Sequence, residues 1–167
     1  MLPSLPIAVA VGKDGSIYAA DVGLNQVLKL PAGASSPIQL MPTYPLNAPN
    51  GVATDSNGNL YITDGADRRV LKLAPGAAVP TELPFGGLEQ PYGVAVDSKG
   101  NVYVSDIDKR GVFKLAPGAP SATQLALPGL NYPFGVAVDK DGDLFVVDCH
   151  RGNQCPTGKV LELGAGQ

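Results

Sequence analysis

The chain has 167 residues, a length that suits one domain with a substantial core. Its 21 glycines and 16 prolines interrupt it too often for a helical protein, while 44% hydrophobic and 16% charged residues exclude a disordered linker. A net charge of −3 counts against a nucleic-acid partner, and no apolar run approaches the roughly 18 residues of a membrane span, so no membrane insertion is expected.

In chain order, residues 1–10 lack a basic and then apolar leader, so no signal peptide is expected. Four similar segments follow, at 6–41, 49–88, 91–130 and 133–164. Gly15, Gly58, Gly100 and Gly142 are spaced 43, 42 and 42 apart, and Asp21, Asp64, Asp106 and Asp148 repeat those intervals. Each unit opens on Pro-x-(Gly/Ala)-Val-Ala, passes a turn, and continues in an alternating run ending in Asp, such as Val102-Tyr103-Val104-Ser105-Asp106. A Val-(Leu/Phe)-(Lys/Glu)-Leu run comes next, at 27–30, 70–73, 112–115 and 160–163. A Pro/Gly/Ala turn then leads to a last short run, such as 81–85 or 123–127. Runs this short, rich in β-branched and aromatic residues and bounded by turns, read as strands. Asn57-Gly58, Lys99-Gly100 and Asp141-Gly142 supply the positive φ that a tight hairpin needs.

Four antiparallel strands in tandem units of this length predict an all-β fold, a β-propeller of four-stranded blades. One propeller domain spans 1–167, with repeats at approximately 6–48, 49–90, 91–132 and 133–167. The last unit stops after its third strand, and only residues 1–5 remain to close a ring. A fragment of a longer propeller, a four-bladed ring and a half that pairs with its own copy all fit. The expectation leans to a partial domain, with a homo-oligomer completing the propeller as one route.

The segment from Pro91 to Asp106 (PYGVAVDSKGNVYVSD), with Val112-Phe113-Lys114-Leu115-Ala116-Pro117-Gly118, resembles the NHL-repeat family across essentially the whole chain. It is most similar to the extracellular sensor domains of actinobacterial receptor-type serine/threonine protein kinases. Leu83-Pro84-Phe85-Gly86-Gly87-Leu88 is similar to that group as well. Gly12 departs from the pattern, standing where Asp55, Asp97 and Asp139 end strand one. The resemblance implies a sensor on the extracytoplasmic side, with any kinase activity outside this chain.

Chain direction places the one-two and three-four turns on one face, B, where they are near copies. The two-three loops and four-one connections lie on face A and vary from blade to blade, as binding loops do. Tyr92, Tyr132 and Phe134 on face A are candidates to stack on a sugar or anchor a peptide, although wedging the blades together is the more ordinary role. Arg68, Lys109, His150 and Arg151 are the charged candidates around them. Asp21, Asp64, Asp106 and Asp148 could ring a cation, but capping each blade's own loop through backbone N–H groups suits a per-blade repeat better.

The fourth unit carries six extra residues between Asp148 and Val160, holding both cysteines and the single histidine. Cys149 and Cys155 enclose a span that a disulfide closes easily in an oxidising compartment, with free thiols or zinc as rivals. No nucleophile, base or phosphate-cradling motif emerges, so no cofactor and no catalysis are expected. The reading is a non-catalytic recognition module for a peptide, protein or glycan on face A. Its alternative is a propeller lyase or lactonase-like hydrolase with a metal at the channel mouth.

Overall fold

The computed structural model describes residues 4–150 and 158–164, and every regular element among them is a β-strand. The first blade is β1 (Pro6–Val11), β2 (Ile17–Asp21), β3 (Gln26–Leu30) and β4 (Ile38–Leu40). The second is β5 (Pro49–Thr54), β6 (Leu60–Asp64), β7 (Arg69–Leu73) and β8 (Thr81–Glu82). The third is β9 (Pro91–Val96), β10 (Val102–Asp106), β11 (Gly111–Leu115) and β12 (Thr123–Gln124). The fourth holds β13 (Tyr132–Val138), β14 (Leu144–Cys149) and β15 (Gly158–Leu163). Each is an antiparallel sheet in chain order, as the tandem repeat predicts.

The core lies between blades, because period-two alternation gives every strand one apolar set on each face of its sheet. Tyr18, Ala20 and Val27 of the first blade pack on Val52, Leu60, Ile62 and Leu71 of the second. Tyr61 and Val70 then meet Val94, Val102 and Val104, and Tyr103 and Val112 meet Leu144 and Val146. The predicted strand-two rings Tyr18, Tyr61 and Tyr103 are buried at these junctions. Inner strands pack in succession, β1 on β5, β5 on β9 and β9 on β13, and no comparable contact joins β1 to β13 among the described residues.

Backbones at the inner rim approach closely. A Cβ added to Gly51 would lie 2.5 Å from the Tyr92 carbonyl oxygen, and one added to Gly93 equally close to that of Phe134. The hydroxyls of Thr63 and Ser105 donate to those same carbonyls, stitching one blade to the next.

Three local features refine the sequence expectation. The outer strands are shorter than 81–85 and 123–127, because the chain curls inward after two residues. The Leu83 amide donates to Val70 O and the Phe85 amide to Leu83 O, with Leu125 and Leu127 repeating the pattern. In the two-three loops Asn25, Arg68 and Arg110 adopt positive φ of 51°, 57° and 50°, which no glycine announces. At the leading end, Ser4 Oγ and the Leu5 amide donate to the Asp21 carboxylate at 2.7 and 2.9 Å. Those two residues therefore act as a four-one connection on the first blade, and do not close the fourth.

Face B turns are organised by half-buried carboxylate acceptors. Asp97 accepts from the amides of Lys99 and Asn101, the Asn101 side chain and the Tyr103 hydroxyl, and Asp55 has the matching set. Burial pushes the Asp97 carboxyl up, but the Asn101 donors and the Tyr103 hydroxyl outweigh it and hold the group below its usual 3.8. The Tyr103 phenol, buried beside that carboxylate, is pushed up to about 12. A folded-state carboxyl below its unfolded value stabilises above that value, and the contribution is lost as pH falls through the folded one. Thermal stability is thus expected to decline as pH drops below 3.8, and Asn101→Ala should flatten that decline. Melting temperatures between pH 6 and 2.5 check this; an equal slope in the variant would count against it.

Candidate functional site

Face A is assembled around the four aspartates that end the second strands. All four are fully buried. Asp106 accepts the amides of Glu89 and Gln90 from the four-one connection and of Lys109 from the two-three loop, at 2.7, 3.1 and 3.0 Å. Asp148 accepts the amides of Asn131 and Tyr132, both at 2.9 Å. Asp64 accepts the Asn47 amide and pairs with Arg69, whose Nη2 lies 2.7 Å away. Burial pushes the Asp64 carboxyl up against the pull of these two donors. Asp21 and Asp106 thus each tie the connection entering their blade to its two-three loop, while Asp64 and Asp148 anchor that connection. Among the described residues no three His, Cys, Asp or Glu side chains cluster as a metal site would require.

Above this frame stands an aromatic pair. Tyr92 and Phe134 hold the same position at the start of inner strands β9 and β13, and β9 carries a bulge between Pro91 and Val94. Their rings meet edge to face across the blade junction, with centroids 4.9 Å apart and planes at 85°. Both remain half-buried, so the pair wedges the blades together while keeping surface open to solvent. Asn50 holds that position in the second blade and donates to Pro91 O, continuing the rim towards the pair.

The outer fringe is charged. Tyr132 lies under the Arg110 guanidinium at 6.0 Å, a cation–π contact. Lys109 pairs with Glu89 at 2.8 Å and holds that carboxyl below its usual range. Arg68 is exposed, at the same loop offset as Arg110, and His150 is exposed at the end of β14. Of the sequence candidates, then, the structure brings Tyr92 and Phe134 together and gives Tyr132 and Lys109 separate partners. Arg151 and Cys155 lie outside the described residues, and with them the expected bridge to Cys149, which is buried. Sequence reasoning passed over Arg110 and Glu89. Counting four positions on from Asp64 and Asp106 would have paired Arg110 with Arg68 at once.

Face B carries the clefts. Spaces of about 420 and 470 Å³ open between the first and second and between the second and third blades, and one of about 150 Å³ between the third and fourth. Each is lined by the one-two turns of its two blades and by Lys29, Lys72 or Lys114 from the third strand. Those lysines stand over Tyr18, Tyr61 and Tyr103 at 5.3, 5.5 and 5.5 Å. Recurrence at every junction marks the clefts as the outward splay of neighbouring blades.

Comparison with known proteins places this geometry. Residues 130–155 match the NHL repeat model. A nidogen/laminin complex is similar at 22% identity with a TM-score of 0.79, covering 95% of this chain and 65% of that one. A streptogramin B lyase follows at 18% and 0.76, covering 99% and 56%. Hydrazine synthase of Kuenenia stuttgartiensis gives 17% and 0.77, covering 98% and 46%. No curated protein sequence matches. The chain therefore spans between about half and two thirds of these structures, and at such identities they establish the β-propeller fold alone. They include a binding complex and enzymes alike.

Proposed function

We propose that the chain is a non-catalytic recognition module that takes a peptide, protein or glycan on face A. The Tyr92–Phe134 pair carries the reading. Two half-open rings, fixed by inner-strand backbone and by each other, offer apolar contact area that needs little ordering on binding. Arg110 over Tyr132, the Lys109–Glu89 pair and exposed Arg68 and His150 surround them with hydrogen-bonding charge, the usual rim of an apolar anchor. The resemblance to kinase sensor domains and the cysteine pair support an extracytoplasmic setting for that role.

Peptide and glycan arrays probed with the chain test the proposal. Tyr92→Ala with Phe134→Ala is expected to weaken every captured ligand at least roughly tenfold, in line with anchors worth more than about 1.4 kcal/mol. Circular dichroism of the double variant should be unchanged. Full capture by it would place binding elsewhere. The lyase or lactonase reading rests on likeness of fold, and predicts turnover of a cyclic ester that a chelator abolishes. Turnover of that kind, with face A substitutions silent, would replace the recognition reading.

A further inference from the structure

The first and last blades each leave one apolar face uncovered. On the first, Val9, Ala19 and Leu28 share a face by register, with Val11, Ile17 and Leu30 beside them. Val9 is 68% exposed, whereas its equivalents Val52 and Val94 are 7% and 6% exposed against the preceding blade. On the fourth, Val147 pairs with Val160, and Phe145 with Ala137 and Glu162, on the face turned away from the third blade. Val160 is 65% exposed; Val27, Val70 and Val112, at its position in the other blades, are wholly buried. These two surfaces are the two halves of a junction the chain builds three times internally. Open apolar faces of this kind mark association sites.

We infer that the two faces bind each other between molecules: the fourth blade of one copy packs on the first blade of a second copy, head to tail. Two such contacts, related by a twofold axis, join four blades to four and make eight, within the range of known propellers.

Three observations favour a second copy as the occupant. Gly135 repeats the position at which Gly51 and Gly93 admit the next blade's carbonyl, yet the nearest atom to a Cβ there is Val147 Cγ2 at 3.8 Å. Val147 stands where Thr63 and Ser105 carry hydroxyls, so the open face is wholly apolar at a position where the internal junctions use a polar donor. Charge is also matched. Strand three carries Lys29, Lys72 and Lys114 at the first three junctions, each beside the next blade's one-two turn, but Glu162 at the open one. The turn it would meet is Lys13-Asp14-Gly15 of the second copy, where Asp14 already binds Ser16 and Lys29 and leaves Lys13 to face Glu162.

Light scattering across a concentration series tests this on the 167-residue chain. The expected mass is twice 17.1 kDa. Val9→Glu and Val160→Glu, both at exposed positions, should each return the monomer with unchanged circular dichroism. Lys13→Glu or Glu162→Lys alone should weaken the dimer by about two- to fivefold, as rim charges do, and together restore it. A 17.1 kDa mass at every concentration overturns the inference, as does a dimer indifferent to all four substitutions or open-ended growth with concentration. The Tyr92/Phe134 double variant should remain dimeric, which keeps this result separate from ligand capture on face A.

Discussion

Asp106→Ala is expected to lower unfolding free energy by about 3–5 kcal/mol, a large fraction of the roughly 5–15 kcal/mol that holds a domain together. The carboxylate is fully buried and takes three backbone amides, those of Glu89, Gln90 and Lys109. Removing it strands all three donors, and each buried unsatisfied group costs about 1–3 kcal/mol, reduced where water can reach the opened loops. It also frees the four-one connection that precedes Tyr92, so the aromatic pair loses its footing along with the fold. Asp106→Asn keeps one acceptor oxygen and should cost less than the alanine variant. Urea denaturation of the three proteins decides; an alanine variant within about 1 kcal/mol of the parent would show that the loops stand without their carboxylate.

Gly93→Ala is expected to cost about 2–4 kcal/mol, at or just beyond the usual range for overpacking. The new Cβ would sit 2.5 Å from Phe134 O and 2.9 Å from Val136 N, both in the neighbouring inner strand. Backbone atoms cannot swing aside as a flexible side chain can, so the third and fourth blades must separate. That movement also stretches the bond Ser105 Oγ donates to Phe134 O, from the same hydroxyl that accepts the Gly93 amide. Gly86→Ala is the control: nothing lies within 4 Å of its added Cβ, and no positive φ is needed there. Thermal unfolding should show a drop of several degrees for the first variant and almost none for the second. Equal melting temperatures would mean that the blade junction is looser than this packing implies.

Much of the propeller was legible because each of its determinants is local. Period-two runs with an aromatic ring in second place gave the second strands, and Asp-Gly, Asn-Gly and Lys-Gly turns gave the hairpins, since φ of 77–92° belongs to glycine. The outer strands were overestimated because their end depends on where the Leu83 and Leu125 amides find a carbonyl, which is a choice made by the partner strand. The positive φ of Arg68 and Arg110 was hidden for a similar reason: the loop is held to its buried aspartate, by the Arg69 side chain on Asp64 and by the Lys109 amide on Asp106, and tolerates a non-glycine residue at that point.

The candidate site was legible as a face and not as a constellation. Strand direction alone assigns Tyr92, Tyr132, Phe134, Arg68 and Lys109 to face A. It cannot show that Tyr92 and Phe134 touch, because that contact crosses a blade junction 42 residues apart in sequence and depends on the Gly93 backbone lying against the next strand. Nor can it show that Lys109 belongs to Glu89 and that Arg110, one residue on, belongs to Tyr132.

By itself, then, the sequence determined the repeat, the strand alternation, the turns and the count of four blades, since all of these follow from residue preferences within about 42 positions. Only the tertiary structure decided which faces are covered. Val9 and Val52 read alike along the chain, yet one is exposed and the other buried, because burial here is conferred by the neighbouring blade and not by the strand itself. The same physics decided the fate of residues 4–5, which Asp21 draws into the first blade before they could reach the last.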